Sequence, residues 1–160
     1  MRLREATAQD LDAVWRINER SVPAANSLSR ERLQRFAREA QYFRVAEYCS
    51  QIAGFRLCLA PEADYDSPIF RWLNQRYDRI LYVDRVAVDK SFHGRGIARA
   101  LYLDAAGIVR DRCRMIACEV NLRPGNDASL KFHERLAFRP VGTRDHGYVK
   151  VQYMLRELPF

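Results

Sequence analysis

One segment of the chain restricts the possible folds more than any other: a buried strand, a short turn and an amphipathic helix follow one another between residues 80 and 112. Residues 80–88 (ILYVDRVAV) are almost continuously apolar, which is typical of a strand covered on both faces of a sheet. Apolar residues then recur at helical spacing in residues 94–112: Ile97, Leu101, Ala105 and Ile108. We therefore expect an α/β fold with residues 80–88 at the centre of the sheet.

The other apolar patterns predict a mixed sheet with helices packed on it. Strands are expected at residues 3–6, 42–48, 52–59, 115–120 and within a terminal hairpin at 138–155, and helices near residues 11–17, 29–37 and 127–136. Residues 61–78 are expected to form a long loop that contains a short helix. The chain has 160 residues, of which 48% are hydrophobic, so one domain spanning residues 1–160 is the expected organisation.

The sequence also limits where the protein works and what it binds. The first residues lack the apolar stretch of a secretory signal, and no apolar run approaches the ~20 residues of a membrane span, so we expect a cytoplasmic protein with no membrane partner. The 27 basic residues against 20 acidic ones give a net charge of +7, which favours an anionic partner. Because the basic residues are scattered along the chain, the charge alone gives no reason to expect a nucleic acid.

The turn before the long helix carries the pattern His93-Gly94-Arg95-Gly96-Ile97-Ala98. Unpaired N–H groups and the positive end of the helix dipole lie at such a helix start, and glycines let a phosphate approach the main chain closely. This segment is therefore a candidate pyrophosphate site. For two glycines alone, an ordinary glycine-containing helix entry is the simpler explanation.

Two known phosphate-binding patterns fit this segment only in part. A P-loop requires a lysine after its glycines, and none follows here. A dinucleotide fingerprint would use Gly94 and Gly96, with Glu119 placed as the ribose-binding acid after the next strand. That pattern lacks its third small residue, since Arg99 stands there, and residues 89–93 separate the strand from the glycines.

The same segment resembles the Q/R-x-x-G-x-G/A signature of the GCN5-related N-acetyltransferase (GNAT) superfamily, which binds the pyrophosphate of acyl-CoA. Residues 126–138 (NDASLKFHERLAF) support the resemblance, because they are similar to the family's asparagine, alanine, aromatic pair and terminal glycine–phenylalanine pattern. Ala53-Gly54-Phe55 and the strand at residues 80–88 fall in the family's order as well. The resemblance covers residues 2–155 and implies a mostly antiparallel sheet whose splayed central strands form an acyl-CoA cleft.

The resemblance also implies which residues bind acetyl-CoA, the expected acyl donor. The main chain of Val86 and Val88 would pair with the pantetheine arm. The pyrophosphate would be surrounded by the glycine segment: His93, Gly94, Arg95, Gly96, Ile97, Ala98 and Arg99. Asn126, Ser129 and Phe132 would lie along the thioester end of the CoA.

Besides His133, two residues depart from the family pattern, and two residues are inserted between Val120 and Asn126. His93 stands where the family has Gln or Arg, and an imidazole is a weaker phosphate partner at neutral pH, although main-chain contacts do not depend on it. Ala137 replaces the glycine that ends the second helix. A non-glycine residue in a left-handed conformation costs on the order of 1 kcal/mol, which a domain can tolerate.

His133 lies where many family members carry a tyrosine that protonates the departing thiolate. An imidazolium could supply that proton, so His133 is a candidate general acid. It is equally well explained as a helix-face histidine with a hydrogen-bonded ring. In that case Tyr148 or Tyr153 on the last strands could be the acid.

Two carboxylates in apolar strands, Glu119 and Asp84, are candidates for the general base. A buried carboxylate must be paired or face a cleft, because burying it unpaired costs much free energy. For Glu119, at the end of its strand, we expect a role in the site, either direct or through water. For Asp84 we favour an ion pair with Arg85 or Arg123 over a catalytic role.

The sequence thus predicts an N-acetyltransferase that moves an acetyl group from acetyl-CoA to a primary amine by direct attack in a ternary complex. The alternative is a non-catalytic acyl-CoA-binding regulatory module of the same fold, because His133 replaces the usual tyrosine. The three histidines have no ligand spacing, so no metal is expected. The terminal strands could pair across a homodimer, and the loop at residues 61–78 is the expected wall on the side of the amine acceptor.

Overall fold

The computed structural model describes residues 1–159 and forms one sheet with helices on both faces. The strands, in chain order, are β1 (Arg2–Glu5), β2 (Tyr42–Tyr48), β3 (Gln51–Leu59), β4 (Ile80–Val88), β5 (Met115–Arg123), β6 (Arg139–Asp145) and β7 (Lys150–Glu157). The α-helices are α1 (Leu11–Arg20), α2 (Arg30–Glu39), α3 (Pro68–Arg76), α4 (Ile97–Val109) and α5 (Asp127–Arg135). These elements follow the order predicted from the apolar periodicity.

The seven strands lie side by side in the order β1-β2-β3-β4-β5-β7-β6. Neighbouring strands are antiparallel except β4 and β5, which are parallel. A parallel pair requires a crossover connection, and α4 lies in that connection. The structure confirms the mixed, mostly antiparallel sheet and the central position of β4.

The two central strands separate part of the way along their length. The ladder between β4 and β5 joins only residues 80–82 to residues 115–117, whereas the strands run on to Val88 and Arg123. Beyond the last pair the strands diverge and leave a gap in the middle of the sheet. This confirms the splayed central strands that the family resemblance implies.

Helices cover the two faces of the sheet differently. One face, which we call the three-helix face, buries apolar side chains of α1, α2 and α3 against strand residues that include Leu57 and Tyr153. The opposite face, the α4 face, buries Tyr102 and Val109 against Val83 of β4. Because successive strand residues point to opposite faces, β4 and β5 present side chains to both layers.

Backbone conformation sets the ends of the two helices beside the gap. The sequence predicts a helix from Gly94, but α4 begins at Ile97, because Gly94 and Gly96 adopt left-handed φ angles of 75° and 73°. α5 begins after Asn126, whose side chain caps it. It ends before Ala137, whose φ of 58° confirms a left-handed residue at the position of the family's glycine.

α3 lies inside the long connection between β3 and β4. Ser67 caps it by accepting a hydrogen bond from the Phe70 N–H, and Pro68 occupies its first turn, where a missing N–H does no harm. The short helix expected between residues 61 and 78 is thereby confirmed. No helix in the described part of the chain is long and apolar enough to cross a membrane.

Candidate active site

A cleft beside α4 brings together the end of β4, the glycine segment and one side of α5. We call it the glycine-loop cleft. It has a volume of about 450 Å³ and is lined by residues 86–88 and 92–99 with Ser129, Phe132, His133 and Arg135. Of the residues that the family resemblance assigns to the acyl donor, all but Asn126 lie in this lining. The volume is typical of a small-molecule site.

The free side of β4 directs main-chain groups toward the gap. The Asp89 N–H bonds to the Ala53 carbonyl of β3, and Ala87 also pairs with β3. In an antiparallel pair, alternate residues direct their main-chain groups to the same side, so those of Val86 and Val88 point away from β3. They therefore face the gap, where β5 no longer pairs with β4.

Glycines allow a close approach to the main chain around this cleft. At Gly94 and Gly96 a Cβ would meet no atom within 4 Å, so the positive φ, rather than lack of space, favours glycine there. Gly96 directly precedes α4, whose first N–H groups have no partner within the helix. Gly54 is different, because a Cβ there would lie 2.8 Å from the Ala87 carbonyl oxygen. Its missing side chain lets β3 and β4 pack closely under the start of α4.

Neighbouring groups hold the side chains of the glycine segment. The Nε2 of His93 lies 2.9 Å from the Val88 carbonyl oxygen and so fixes the imidazole against the end of β4. Arg95 donates to the Tyr48 hydroxyl at 3.3 Å, and its guanidinium lies 5.2 Å from the centroid of that ring. Arg99 is exposed on the first turn of α4. The two guanidinium groups and the helix start together make this end of the cleft positive.

α5 forms the opposite wall of the cleft. Ser129 and Phe132 line it, and the Phe132 ring packs against Tyr102 of α4 with the ring centroids 5.7 Å apart. Asn126 lies outside the lining, where its Oδ1 accepts a hydrogen bond from the Ser129 N–H at 3.2 Å. Its effect in this structure is to fix where α5 begins and hence where Ser129 stands.

His133 is enclosed between α5 and α4 and is only 3% exposed. Its Nε2 lies 2.7 Å from the Tyr102 hydroxyl, and its Nδ1 lies 2.8 Å from the Ser129 carbonyl oxygen. A carbonyl can only accept, so Nδ1 carries the hydrogen and Nε2 accepts from Tyr102. Burial lowers the pKa of His133 to about 4, which leaves the ring neutral at physiological pH. These contacts are those of a helix-face histidine with a hydrogen-bonded ring, and its role as an acid stays a prediction.

A second cavity, which we call the carboxylate pocket, opens on the three-helix face of the gap. It has a volume of about 350 Å³. Residues 24–27, residues 65–69, β4, β5 and the turn between β6 and β7 form its walls, with the polar side chains of Arg32, Tyr65, Asp84, Arg85, Glu119, Asn121, His146 and Tyr148. Val86 lines both this pocket and the glycine-loop cleft. The two cavities therefore meet where β4 and β5 separate.

Asp84 reaches the carboxylate pocket because β4 carries an extra residue there. Leu57 of β3 pairs with Arg85, and the next residue, Cys58, pairs with Val83, so Asp84 forms a β-bulge. The bulge allows the side chains of Asp84 and Arg85 to meet, and the Arg85 Nε lies 2.6 Å from the Asp84 Oδ2. The structure thus confirms the ion pair that we favoured for Asp84, with Arg85 as its partner.

Further hydrogen bonds connect this ion pair to the walls of the pocket. The Tyr65 hydroxyl donates to Asp84 Oδ1 at 2.5 Å. Burial and the Asp84 charge raise the pKa of Tyr65, so the phenol stays a donor. Arg85 Nη1 donates to Asn18 Oδ1 at 2.9 Å and to the Asn26 carbonyl at 3.3 Å. β4 is thereby joined to α1, to the loop after α1 and to the connection before α3.

Glu119 lies on β5 two residues beyond the last residue that pairs with β4, and it lines the carboxylate pocket. Its Oε2 is buried and has no hydrogen-bond partner within residues 1–159. Burial, together with the charge of Asp84, raises the pKa of Glu119 to about 7, although Arg85 acts in the opposite direction. A carboxyl group with this pKa exchanges a proton readily at neutral pH, as a general base must.

The two tyrosines considered as alternative acids occupy different environments. Tyr148 is 84% exposed and lines the carboxylate pocket. Tyr153 lies opposite Glu119 on β7, but its side chain is buried against Trp72 with the ring centroids 4.9 Å apart. Of the two, only Tyr148 lines the cavity.

Sequence reasoning expected residues 61–78, which include Tyr65, as a wall but missed the groups that connect the walls of the carboxylate pocket. The Asn18 side chain, the Asn26 carbonyl and the Tyr65 hydroxyl come from three separate segments, and no local motif joins them. One signal was available: Asn18 lies on the buried side of α1 and is fully buried. A buried amide requires hydrogen-bond partners, so its position in an apolar pattern indicates a polar contact with another element.

Solved structures share this fold at low sequence identity. Ard1 from Thermoplasma volcanium superposes with a TM-score of 0.80 at 18% identity, over 99% of this chain and 98% of that one. Arabidopsis thaliana NAA60 in complex with a bisubstrate analogue gives a TM-score of 0.77 at 18% identity, over 98% and 97% of the two chains. A ribosomal-protein-alanine N-acetyltransferase from Brucella melitensis gives 0.72 at 22% identity, over 99% and 100%. At these identities the likeness establishes the fold.

Sequence comparison identifies the family. None of the curated proteins compared with the chain matches it significantly. The model of the acetyltransferase (GNAT) family matches residues 9–138, a stretch that contains β4, the glycine segment, Glu119 and all of α5. Since this match covers most of the chain and the splayed sheet agrees with it, the chain belongs to the GNAT acetyltransferase family.

Proposed function

We propose that the protein is an N-acetyltransferase that moves the acetyl group of acetyl-CoA to a primary amine. The observation that carries this proposal is the junction at Val86, which lines both cavities. On one side of it lie main-chain groups of β4 that pair with neither β3 nor β5. On the other lies Glu119, whose buried Oε2 has no partner among the described residues. An acyl donor and an amine entering from opposite faces would meet at this point.

The glycine-loop cleft suits CoA through both its main chain and its charge. The pyrophosphate fits the unpaired N–H groups at the start of α4, with Arg95 and Arg99 beside it. The amides of the pantetheine arm fit the main-chain groups of Val86 and Val88, to which an extended ligand can bond as an added strand does. The thioester would then reach the gap between β4 and β5.

In the proposed reaction the amine nitrogen attacks the carbonyl carbon of the thioester. A C–N bond forms, the C–S bond breaks, and the products are the N-acetyl amide and CoA. Glu119 takes the proton that the attacking nitrogen loses, directly or through a water molecule. A main-chain N–H of β4 that faces the gap would stabilise the negative charge that develops on the carbonyl oxygen.

The departing thiolate also needs a proton. The family resemblance assigns this step to the position of His133, but the neutral ring there is bonded to Tyr102 and Ser129. Tyr148 lines the carboxylate pocket, which meets the cleft at Val86, and the residue is 84% exposed, so we favour it as the acid. We therefore expect Tyr148→Phe to lower kcat more than His133→Phe does.

The proposal is tested by measuring CoA thiol released from acetyl-CoA in the presence of a panel of primary amines. Release should require an accepted amine, and Glu119→Gln should lower kcat by about 10²–10³-fold because the general base is lost. Glu134→Gln, which changes an exposed carboxylate on α5, is the matched control and should keep full activity. Binding of acetyl-CoA with no release by any amine would instead support a non-catalytic acyl-CoA-binding module.

The organisation of the protein beyond the site stays a prediction in three respects: one domain over residues 1–160, a cytoplasmic address and a homodimer. β6 lies at the edge of the sheet, so its outer main-chain groups can pair with a strand of a second copy. Sedimentation equilibrium of the purified chain would measure the oligomeric state.

A further inference from the structure

Two carboxyl groups stand at the point where the central strands separate, and the protein gives them different surroundings. Asp84 and Glu119 each lie two residues beyond the last pair of the ladder between β4 and β5, and both line the carboxylate pocket. Asp84 accepts hydrogen bonds from Tyr65 and Arg85. The Glu119 Oε2 has no partner in the described chain.

Neighbouring carboxyl groups repel each other when both are ionised, so the one with better partners keeps the negative charge and the other holds its proton more tightly. The side chains of Asp84 and Arg85 are 3% and 8% exposed, and solvent therefore screens this ion pair little. The charge of Asp84 acts on Glu119 in the direction that raises its pKa. Asp84 thus contributes to the basicity of Glu119 without being the base.

The bonds around Asp84 also hold the pocket together. Tyr65 belongs to the connection before α3, and its hydroxyl also accepts a hydrogen bond from Arg32 of α2 at 3.0 Å. Asn18 of α1 and the loop carbonyl of Asn26 accept from the same guanidinium nitrogen, Arg85 Nη1. Four segments of the chain are therefore fixed relative to β4 through one ion pair.

We propose that Asp84 is a positioning residue for acetyl transfer: through Tyr65 and Arg85 it fixes the walls that receive the amine, and it places its negative charge in the same pocket as Glu119. This inference rests on the proposed function. The two carboxylates differ in their donors: each oxygen of Asp84 accepts a hydrogen bond from a neighbouring side chain, whereas the Glu119 Oε2 accepts none from the described residues, so we assign the proton to Glu119.

Other charged and titratable groups face Glu119 as well. Arg85 opposes the effect of Asp84 on Glu119. The remaining groups come from β4, β7, α2, the connection before α3 and the turn between β6 and β7: Tyr82, Tyr153, Arg32, Tyr65, Asp66, His146 and Tyr148. Removing the Asp84 charge takes a like charge away from Glu119 and leaves Arg85 without its acidic partner. Both changes favour the ionised form of Glu119.

The test is the pH dependence of kcat/KM for an accepted amine in the wild type, Asp84→Asn and Tyr65→Phe. In Asp84→Asn the acidic limb should move to lower pH by about one unit or more, since a nearby like charge is lost. Tyr65→Phe keeps that charge and removes one hydrogen bond, so its acidic limb should stay where it is in the wild type. Its KM for the amine should rise roughly tenfold, as for loss of a hydrogen bond to a charged group, with the Kd for acetyl-CoA unchanged.

Each outcome decides the question. Loss of turnover at every pH in folded Asp84→Asn would make Asp84 the base and overturn the inference, as would an acidic limb that does not move. If Asp84→Asn does not fold, an unchanged amine KM in Tyr65→Phe overturns it. If the wild type turns over no amine, the proposed function is contradicted, and the inference is contradicted with it. If the wild type is active and both variants keep its pH profile and its KM for the amine, the inference alone is contradicted.

Discussion

The glycine-loop cleft and the carboxylate pocket meet at Val86, but they are built from different parts of the chain. The cleft is lined mainly by residues 86–88 and 92–99, which are nearly contiguous in sequence. The pocket is made from side chains on β4, β5 and three loops that are far apart in sequence. A main-chain site of contiguous residues leaves a recognisable motif, whereas a site assembled from distant side chains does not.

The two cavities also differ in how they accommodate a buried ionisable group. Beside the cleft, His133 has a hydrogen-bond partner for each ring nitrogen, and burial lowers its pKa to about 4. In the pocket, Glu119 has a buried oxygen with no partner in residues 1–159, and its pKa is raised to about 7. A satisfied group contributes to the packed structure. An unsatisfied one costs stability and is available for proton transfer.

The largest expected effect on stability comes from the buried carboxyl group of Glu119. The pKa of its carboxyl is 4.5 in the unfolded chain and about 7 in the folded one. The contribution of the protonated carboxyl to the free energy of unfolding is therefore fully present below pH 4.5 and is lost as pH rises through 7. Glu119→Gln removes the ionisation, so it should be more stable than the wild type at pH 8 by up to about 3 kcal/mol. Urea unfolding at pH 5 and pH 8 measures this, and an equal difference at both pH values would contradict it.

His133 should show the opposite dependence on pH. Its folded pKa of about 4 lies below the unfolded value of 6.5. The contribution of the neutral ring to the free energy of unfolding, about 3 kcal/mol in total, is therefore present above pH 6.5 and is lost as pH falls through 4. His133→Phe loses the bonds to Tyr102 and Ser129 and should be less stable at pH 7 by about 1–3 kcal/mol. The difference in the free energy of unfolding between the wild type and His133→Phe, measured by urea unfolding, should become smaller from pH 7 to pH 4. A constant difference would mean that His133 has the same pKa in the folded and unfolded states, and would contradict a lowered folded value.

A smaller effect tests whether the cleft depends on main-chain packing. Gly54→Ala places a Cβ 2.8 Å from the Ala87 carbonyl oxygen, and the strands must shift to accommodate it. We expect a loss of about 1–3 kcal/mol in thermal or urea unfolding. Gly107→Ala is the matched control, because a Cβ there meets nothing within 4 Å in α4 and should stabilise the helix by about 0.5–1 kcal/mol. Equal stability of the two variants would contradict the close packing at Gly54.

Most of the fold could be predicted from local patterns. The apolar run of β4 and the helical spacing of α4 predicted the centre of the sheet, and the glycine segment predicted the cleft beside it. The start of α4 was predicted three residues too early, at Gly94 instead of Ile97, because periodicity does not report the positive φ angles of the two glycines.

The side chains of the carboxylate pocket could be predicted only in part. Glu119 was identified from a carboxylate in an apolar strand, and the ion pair of Asp84 from the cost of burying a charge. The β-bulge that directs Asp84 into the pocket depends on the register between β3 and β4, and the bond from Tyr65 depends on how a long connection folds back. Both are long-range properties that no local pattern contains.

The separation between the two cavities is tested most directly by calorimetric titration of acetyl-CoA into the wild type and Glu119→Gln, with NADH as the control ligand. We expect both proteins to bind acetyl-CoA with the same Kd and neither to bind NADH, because the proposed donor contacts involve the main chain of β4 and the glycine segment and not the side chain of Glu119. Absence of acetyl-CoA binding in the wild type, or its loss in Glu119→Gln, would contradict a donor site that is independent of Glu119.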